Sequence, residues 1–129
     1  MQDLWPDDFG KFTVVPPVVI LREQADLLGK KTKGLITAEV RSYEDNKQFR
    51  HKFYLVVPTL GNYSYLLLSA AHDIRLYPAG LLDSSTDTSY ECNSEQEFIV
   101  RLRAILATEQ TKQIVGAILS QIPLPAESA

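Results

Sequence analysis

From residue 35 to residue 57 apolar side chains return at every second position, and nothing else in the chain restricts its fold as tightly. Ile36, Ala38 and Val40 fall on one side of an extended segment over roughly 35–43, with Thr37, Glu39 and Arg41 on the other. Phe49, His51, Phe53, Leu55 and Val57 repeat the pattern over about 48–57, against Gln48, Arg50, Lys52, Tyr54 and Val56. A period of two sends alternate residues to opposite faces, so each segment is a strand with one face in a core. The polar link Glu44-Asp45-Asn46-Lys47 is too short for a crossover, and Asn46 tolerates the left-handed backbone of a tight hairpin. The pair is therefore antiparallel.

Pro58 stops the second strand, and Leu60-Gly61-Asn62 makes the next turn. Tyr63–Ala71 reads as a third strand, more continuously apolar and so expected to be covered on both faces. A short strand over Ile74–Tyr77, ended by Pro78, would follow. Residues 83–89, DSSTDTS, have the composition of a solvated loop, and a last short strand includes Tyr90 to Cys92.

Helical signals lie at the two ends. Pro17 suits a first helical position, and Leu21, Ala25 and Leu28 then recur at helical spacing up to Gly29, or as far as Thr32 or Lys33. Lys30, Lys31 and Lys33 suit the negative end of that helix. Near the C-terminus, Ser94 and Glu97 have capping-box spacing. Phe98, Ile99, Leu102, Ile105 and Leu106 follow at helical intervals, and a second stretch from Thr108 or Thr111 carries Ile114, Val115, Ile118, Leu119 and Ile122. Pro123 and Pro125 end it, and residues 123–129 should fray. The expected fold is α+β: a single domain over 1–129 with an N-terminal arm and helix, a central antiparallel meander of four to five strands, and two C-terminal helical segments packed on one sheet face.

Residues 1–17 form the arm, because Pro6, Pro16 and Pro17 each push the preceding residue toward extended geometry. Trp5, Phe9, Phe12, Val14 and Val15 make it apolar, and Asp3, Asp7 and Asp8 make it acidic. The rings are expected to bury on the chain's own domain, with Trp5 as an anchor in a partner's pocket the alternative.

The 129 residues contain one cysteine, Cys92, and two histidines, His51 and His72. That excludes a disulfide framework within the chain and argues against a zinc or multi-histidine centre, so no metal and no cofactor is expected. A lone cysteine, an acidic start with no signal-peptide pattern, and no apolar run near the roughly 20 residues of a membrane span make a cytoplasmic location the expectation, with no membrane partner. Net charge is −3 but unevenly placed: −3 over 1–29, +4 over 30–57, −5 over 58–97 and +1 over 98–129. A non-specific nucleic-acid binder needs a basic surplus, and this chain has at most one basic face.

Several fragments of motifs do not carry chemistry. Gly29-Lys-Lys-Thr-Lys-Gly34 closes a helix and precedes a strand, the reverse of a phosphate-binding loop. His72-Asp73 lacks the further ligands of a metal phosphohydrolase. No G-x-S-x-G elbow surrounds any serine of 84–89. Cys92 has no evident partner and reads as a packed strand end. Arg50-His51-Lys52 with Tyr54 supplies the side-chain types of a metal-independent nuclease, but alternation sends His51 to the opposite face from Arg50 and Lys52. No catalytic residue is therefore assigned.

The first functional expectation is a non-enzymatic interaction module that binds a protein partner or itself. It would act through Trp5 on the arm and through a sheet face bearing Arg50, Lys52, Tyr54, Tyr63, Tyr65 and Tyr77, since tyrosine buries a large area while keeping a polar tip. A small nuclease or RNase-like toxin using that basic tyrosine face is the enzymatic alternative. Nucleic-acid binding without catalysis, through Lys30, Lys31, Lys33, Arg41, Lys47, Arg50 and Lys52, is the third.

Overall fold

The computed structural model describes residues 1–123, and the expected frayed tail lies outside the described residues apart from Pro123. Its elements are α1 (Pro17–Lys31), β1 (Thr37–Asp45), β2 (Gln48–Val57), β3 (Tyr63–His72), β4 (Ala79–Asp83), β5 (Thr88–Cys92), α2 (Glu95–Leu106) and α3 (Glu109–Gln121), with a single 3-10 turn, Pro58–Leu60, after β2. The five strands form one antiparallel sheet in the order β1-β2-β3-β4-β5, a meander in which every strand pairs with its sequence neighbour. Among the described residues no helix is long and apolar enough to cross a membrane.

All three helices lie on one side of the sheet. Ile20, Leu21 and Ala25 of α1, Phe98, Leu102 and Ile105 of α2, and Ile118 of α3 join Phe53, Leu55, Val57, Leu68 and Leu81 in one core. The α+β expectation holds in its architecture. Helix ends follow their sequence signals: Pro17 opens α1, Lys30 and Lys31 occupy its last turn, and the Ser94 and Thr108 hydroxyls accept from the N–H groups of Glu97 and Thr111.

Three strand assignments require correction. Residues 74–77 are not a strand, because Asp73 Oδ1 accepts from the Arg75 N–H at 2.8 Å and Leu76 turns with φ +77°. A short polar side chain that captures the backbone two residues on competes with a sheet ladder. The fourth strand is Ala79–Asp83 instead, with Ala79, Leu81 and Asp83 buried. The expected loop over 83–89 shrinks to a hairpin turn at 84–87, with β5 beginning at Thr88. β1 also runs on to Asp45, because Asn46 and Lys47 both take positive φ and close the hairpin in two residues.

One irregularity decides which residues share a face. Phe53 pairs with Leu68 but Tyr54 pairs with Leu66, leaving Leu67 as an extra residue in β3. A one-residue bulge reverses the alternation beyond it. Leu68, Ala70 and His72 face the helices on one side of the bulge, while Leu67, Tyr65 and Tyr63 face them on the other.

Candidate functional site

The bulge divides the expected tyrosine face. Tyr63 and Tyr65 stand opposite Val57 and Leu55 and flank Ile114 and Ile118 of α3, on the helix-covered side. Tyr77 is also on that side. Its ring meets Phe98 edge-on at 6.2 Å, and its hydroxyl donates to the Val15 carbonyl at 2.7 Å. Burial first, then the Glu95 charge, pushes its phenol up to about 12. Tyr63, Tyr65 and Tyr77 therefore do not share a surface with Tyr54, and Leu67 is core.

What remains on the helix-free face is more compact. Register places Glu39, Arg41 and Tyr43 of β1 opposite Tyr54, Lys52 and Arg50 of β2. Lys52 and Arg50 stand opposite Ser69 and Ala71 of β3, which stand opposite Leu82 and Gly80 of β4. Large side chains on β1 and β2 beside small ones on β3 and β4 leave a trough of about 440 Å³. Tyr43, Arg50 and Lys52 form its wall and Ser69, Ala71 and Gly80 its floor. Leu66 and Leu82 add apolar lining.

The cations of this face are held in place. The Arg41 guanidinium lies 4.3 Å from the Tyr54 ring centre and bonds Glu39, which raises its pKa further, while Lys52 Nζ lies 5.5 Å from the Tyr43 ring. Such cation–ring contacts orient both partners. Arg50 Nε is buried and makes no hydrogen bond among the described residues, but it is ion-paired with Asp45 Oδ2 at 3.6 Å, and the Arg50 side chain as a whole is 42% exposed. Arg50 and Lys52 put two cations on the trough wall, where a carboxylate can meet them. Tyr43 and the small-residue floor were not part of the sequence expectation. Alternation carried two residues beyond Arg41 places Tyr43 on this face, whereas the floor depends on a fourth strand that composition concealed.

The histidines lie on the other side. The imidazoles of His51 and His72, each 5% exposed, meet Nε2 to Nε2 at 2.9 Å. His51 Nδ1 is 2.7 Å from Ser42 Oγ, and His72 Nδ1 is 2.7 Å from the Asp73 carbonyl oxygen. The network assigns the protons: a carbonyl only accepts, so His72 Nδ1 carries hydrogen and its Nε2 accepts from His51 Nε2–H. His51 Nδ1 then accepts from the Ser42 hydroxyl. Desolvation, the neighbouring His72 and the Arg22 charge hold His51 down at about 4, so it is neutral. Arg50, Lys52 and Tyr54 thus share a face, Arg50 and Lys52 line the trough and Tyr54 lies outside it, while both histidines are on the opposite face. Among the described residues no three His, Cys, Asp or Glu side chains gather as a metal site requires.

The arm also departs from expectation. Trp5 is 74% exposed, and Leu4, Phe9 and Phe12 are exposed with it, so the rings do not bury on their own domain. Packing begins only at Val15, whose N–H donates to Glu95 Oε1 at 2.8 Å and whose carbonyl accepts from Tyr77. Pro6 and Gly10, flanked by aspartates that bond their own backbone, favour local turns over a sheet ladder. Trp5→Ala should consequently leave the unfolding midpoint of the dilute protein within about 0.5 kcal/mol of wild type, as at an ordinary surface position. The dilute protein should also show solvent-like tryptophan emission, since Trp5 is the sole tryptophan. Urea titration followed by circular dichroism, with emission spectra, checks both.

Compared with known proteins, the chain matches no family model, no curated protein and no solved structure.

Proposed function

We propose that this chain is a non-enzymatic protein-binding module that takes an acidic, aromatic-bearing polypeptide segment on its helix-free sheet face. The observation that carries this reading is the trough itself. It has two cations, Arg50 and Lys52, a tyrosine wall and a floor of small residues, with no acid in its lining, although Asp45 pairs with Arg50 beside it. Arginine matches carboxylate in planar, bidentate geometry, and tyrosine with small residues accommodates flat rings.

Two features favour protein over nucleic acid. Glu39, Asp45 and Glu91 lie around the trough on the same face, so a polyanion laid across the sheet meets three carboxylates as well as the cations. The long lysine run, Lys30, Lys31 and Lys33, sits at the end of α1 and in the following turn instead of extending this surface. Isolated carboxylates spaced between rings suit this layout; a continuous phosphate backbone does not.

The test is fluorescence anisotropy with a short labelled peptide rich in Asp and Trp, on a Trp5→Ser/Phe9→Ser background that removes the chain's own acidic aromatic segment. Arg50→Glu/Lys52→Glu should weaken binding at least about tenfold, roughly 1.4 kcal/mol. Equal affinity in that variant, or preference for an oligonucleotide of equal charge, would overturn the reading.

A further inference from the structure

We infer that the helix-free face receives the N-terminal arm of a second copy of this chain, with Trp5 and Phe9 on the trough and the arm's aspartates against Arg50 and Lys52. This rests on the reading of that face as a binding surface for acidic aromatic polypeptide and supplies its occupant.

The arm carries the complementary chemistry. Asp3, Asp7 and Asp8 surround Trp5 and Phe9, and no cationic side chain precedes Lys11. Asp3 Oδ1 accepts from the Trp5 N–H at 3.1 Å and Asp8 Oδ1 from the Gly10 N–H at 2.8 Å, which shape the backbone on either side of the rings. The two rings meet at 6.0 Å between centres, tilted by 59°. They are presented together before any partner arrives, which reduces the ordering that binding must supply. Large exposed rings beside carboxylates meet an uncovered trough with two cations and a floor of small residues beside Leu66 and Leu82. Tryptophan and arginine are the side chains most enriched where interfaces concentrate their affinity.

The arm of the single chain does not occupy its own trough. It leaves the domain at Val15, clamped by Glu95 and Tyr77 on the helix-covered side, while the trough opens on the opposite side of the sheet. Fully extended, the residues before Val15 reach up to roughly 50 Å, enough to cross to a neighbour. Each copy has one arm and one trough, so reciprocal exchange closes into a two-fold dimer without leaving an open end.

Sedimentation and light scattering of the full chain test this. Arm and trough are disabled separately by Trp5→Ser/Phe9→Ser and Arg50→Glu/Lys52→Glu, and circular dichroism melts confirm that both variants fold. Wild type should dimerise as concentration rises, with tryptophan emission moving to shorter wavelength. Each variant should dimerise at least about tenfold more weakly. An equimolar mixture of the two should recover association, because one intact arm then meets one intact trough. A wild type that stays monomeric, association untouched by either pair, a mixture that recovers nothing, or short-wavelength emission in the monomer would each overturn the inference. A monomeric wild type whose arm-disabled variant still binds the labelled Asp- and Trp-rich peptide overturns the second-copy occupant alone and leaves the binding role of the face standing.

Discussion

Phe98→Ala should cost about 3–5 kcal/mol of folding stability, the range for emptying a buried aromatic site. Phe98 is fully buried on the inner face of α2, where its ring and that of Tyr77 make an edge contact with centres 6.2 Å apart. The effect should reach the arm as well as the core. Tyr77 donates to the Val15 carbonyl, and Glu95, three residues before Phe98 on the same helix, accepts from the Val15 N–H. A cavity beneath Tyr77 therefore loosens both groups that clamp the arm's base. Urea titration measures the stability loss, and faster proteolysis at residues 11–16 measures the loosening. Phe98→Leu keeps most of the apolar volume and should recover more than half of the loss. A loss below about 1 kcal/mol for Phe98→Ala would mean that α2 does not anchor this end of the core.

Acid should remove about 3 kcal/mol of stability through the paired histidines. His51 is held at about 4 in the folded protein by desolvation, by His72 and by the Arg22 charge, against an ordinary value of 6.5. Between those two values the unfolded chain binds the proton and the folded chain does not, so stability rises with pH across that window. The contribution is complete above about pH 6.5 and is lost as pH falls through 4, at about 1.4 kcal/mol per pH unit. Asp73 is lowered by its bonds with Arg75, so its transition falls below the same window. Urea midpoints at pH 7.5 and 4.5 check the slope. His51→Gln, which cannot titrate, should flatten it. A wild-type slope no steeper than the variant's would show that the imidazole pair contributes nothing to acid sensitivity.

Much of this architecture was legible because it depends on local rules. β2 begins and ends where alternation and Pro58 place it, and both C-terminal helices start at hydroxyl caps three residues before a free N–H. The functional surface was less legible because it depends on one residue of register. Tyr63 and Tyr65 belong on the helix-free side of an unbroken strand, and the bulge at Leu67 turns both toward α3. Four consecutive apolar residues, Tyr65 to Leu68, are what a bulge between two core-facing halves looks like, but a doubly covered strand has the same composition. β4 was concealed because Ala79 and Gly80 lack the branched side chains that mark a strand, although their small size creates the trough floor. Arg50, Lys52 and Tyr54 were placed together by alternation alone, whereas the uncovered state of their face depends on where all three helices pack.

Amide chemical-shift mapping tests most directly whether the helix-free face is the binding surface. Isotope-labelled Trp5→Ser/Phe9→Ser protein is titrated with an unlabelled peptide spanning residues 1–14 of this chain. The expected result is saturable shifts concentrated at Tyr43, Arg50, Lys52, Ser69 and Gly80. Shifts confined to the helix-covered side, around Leu60, Ile114 and Gln121, or no saturable shift at the trough, would contradict it.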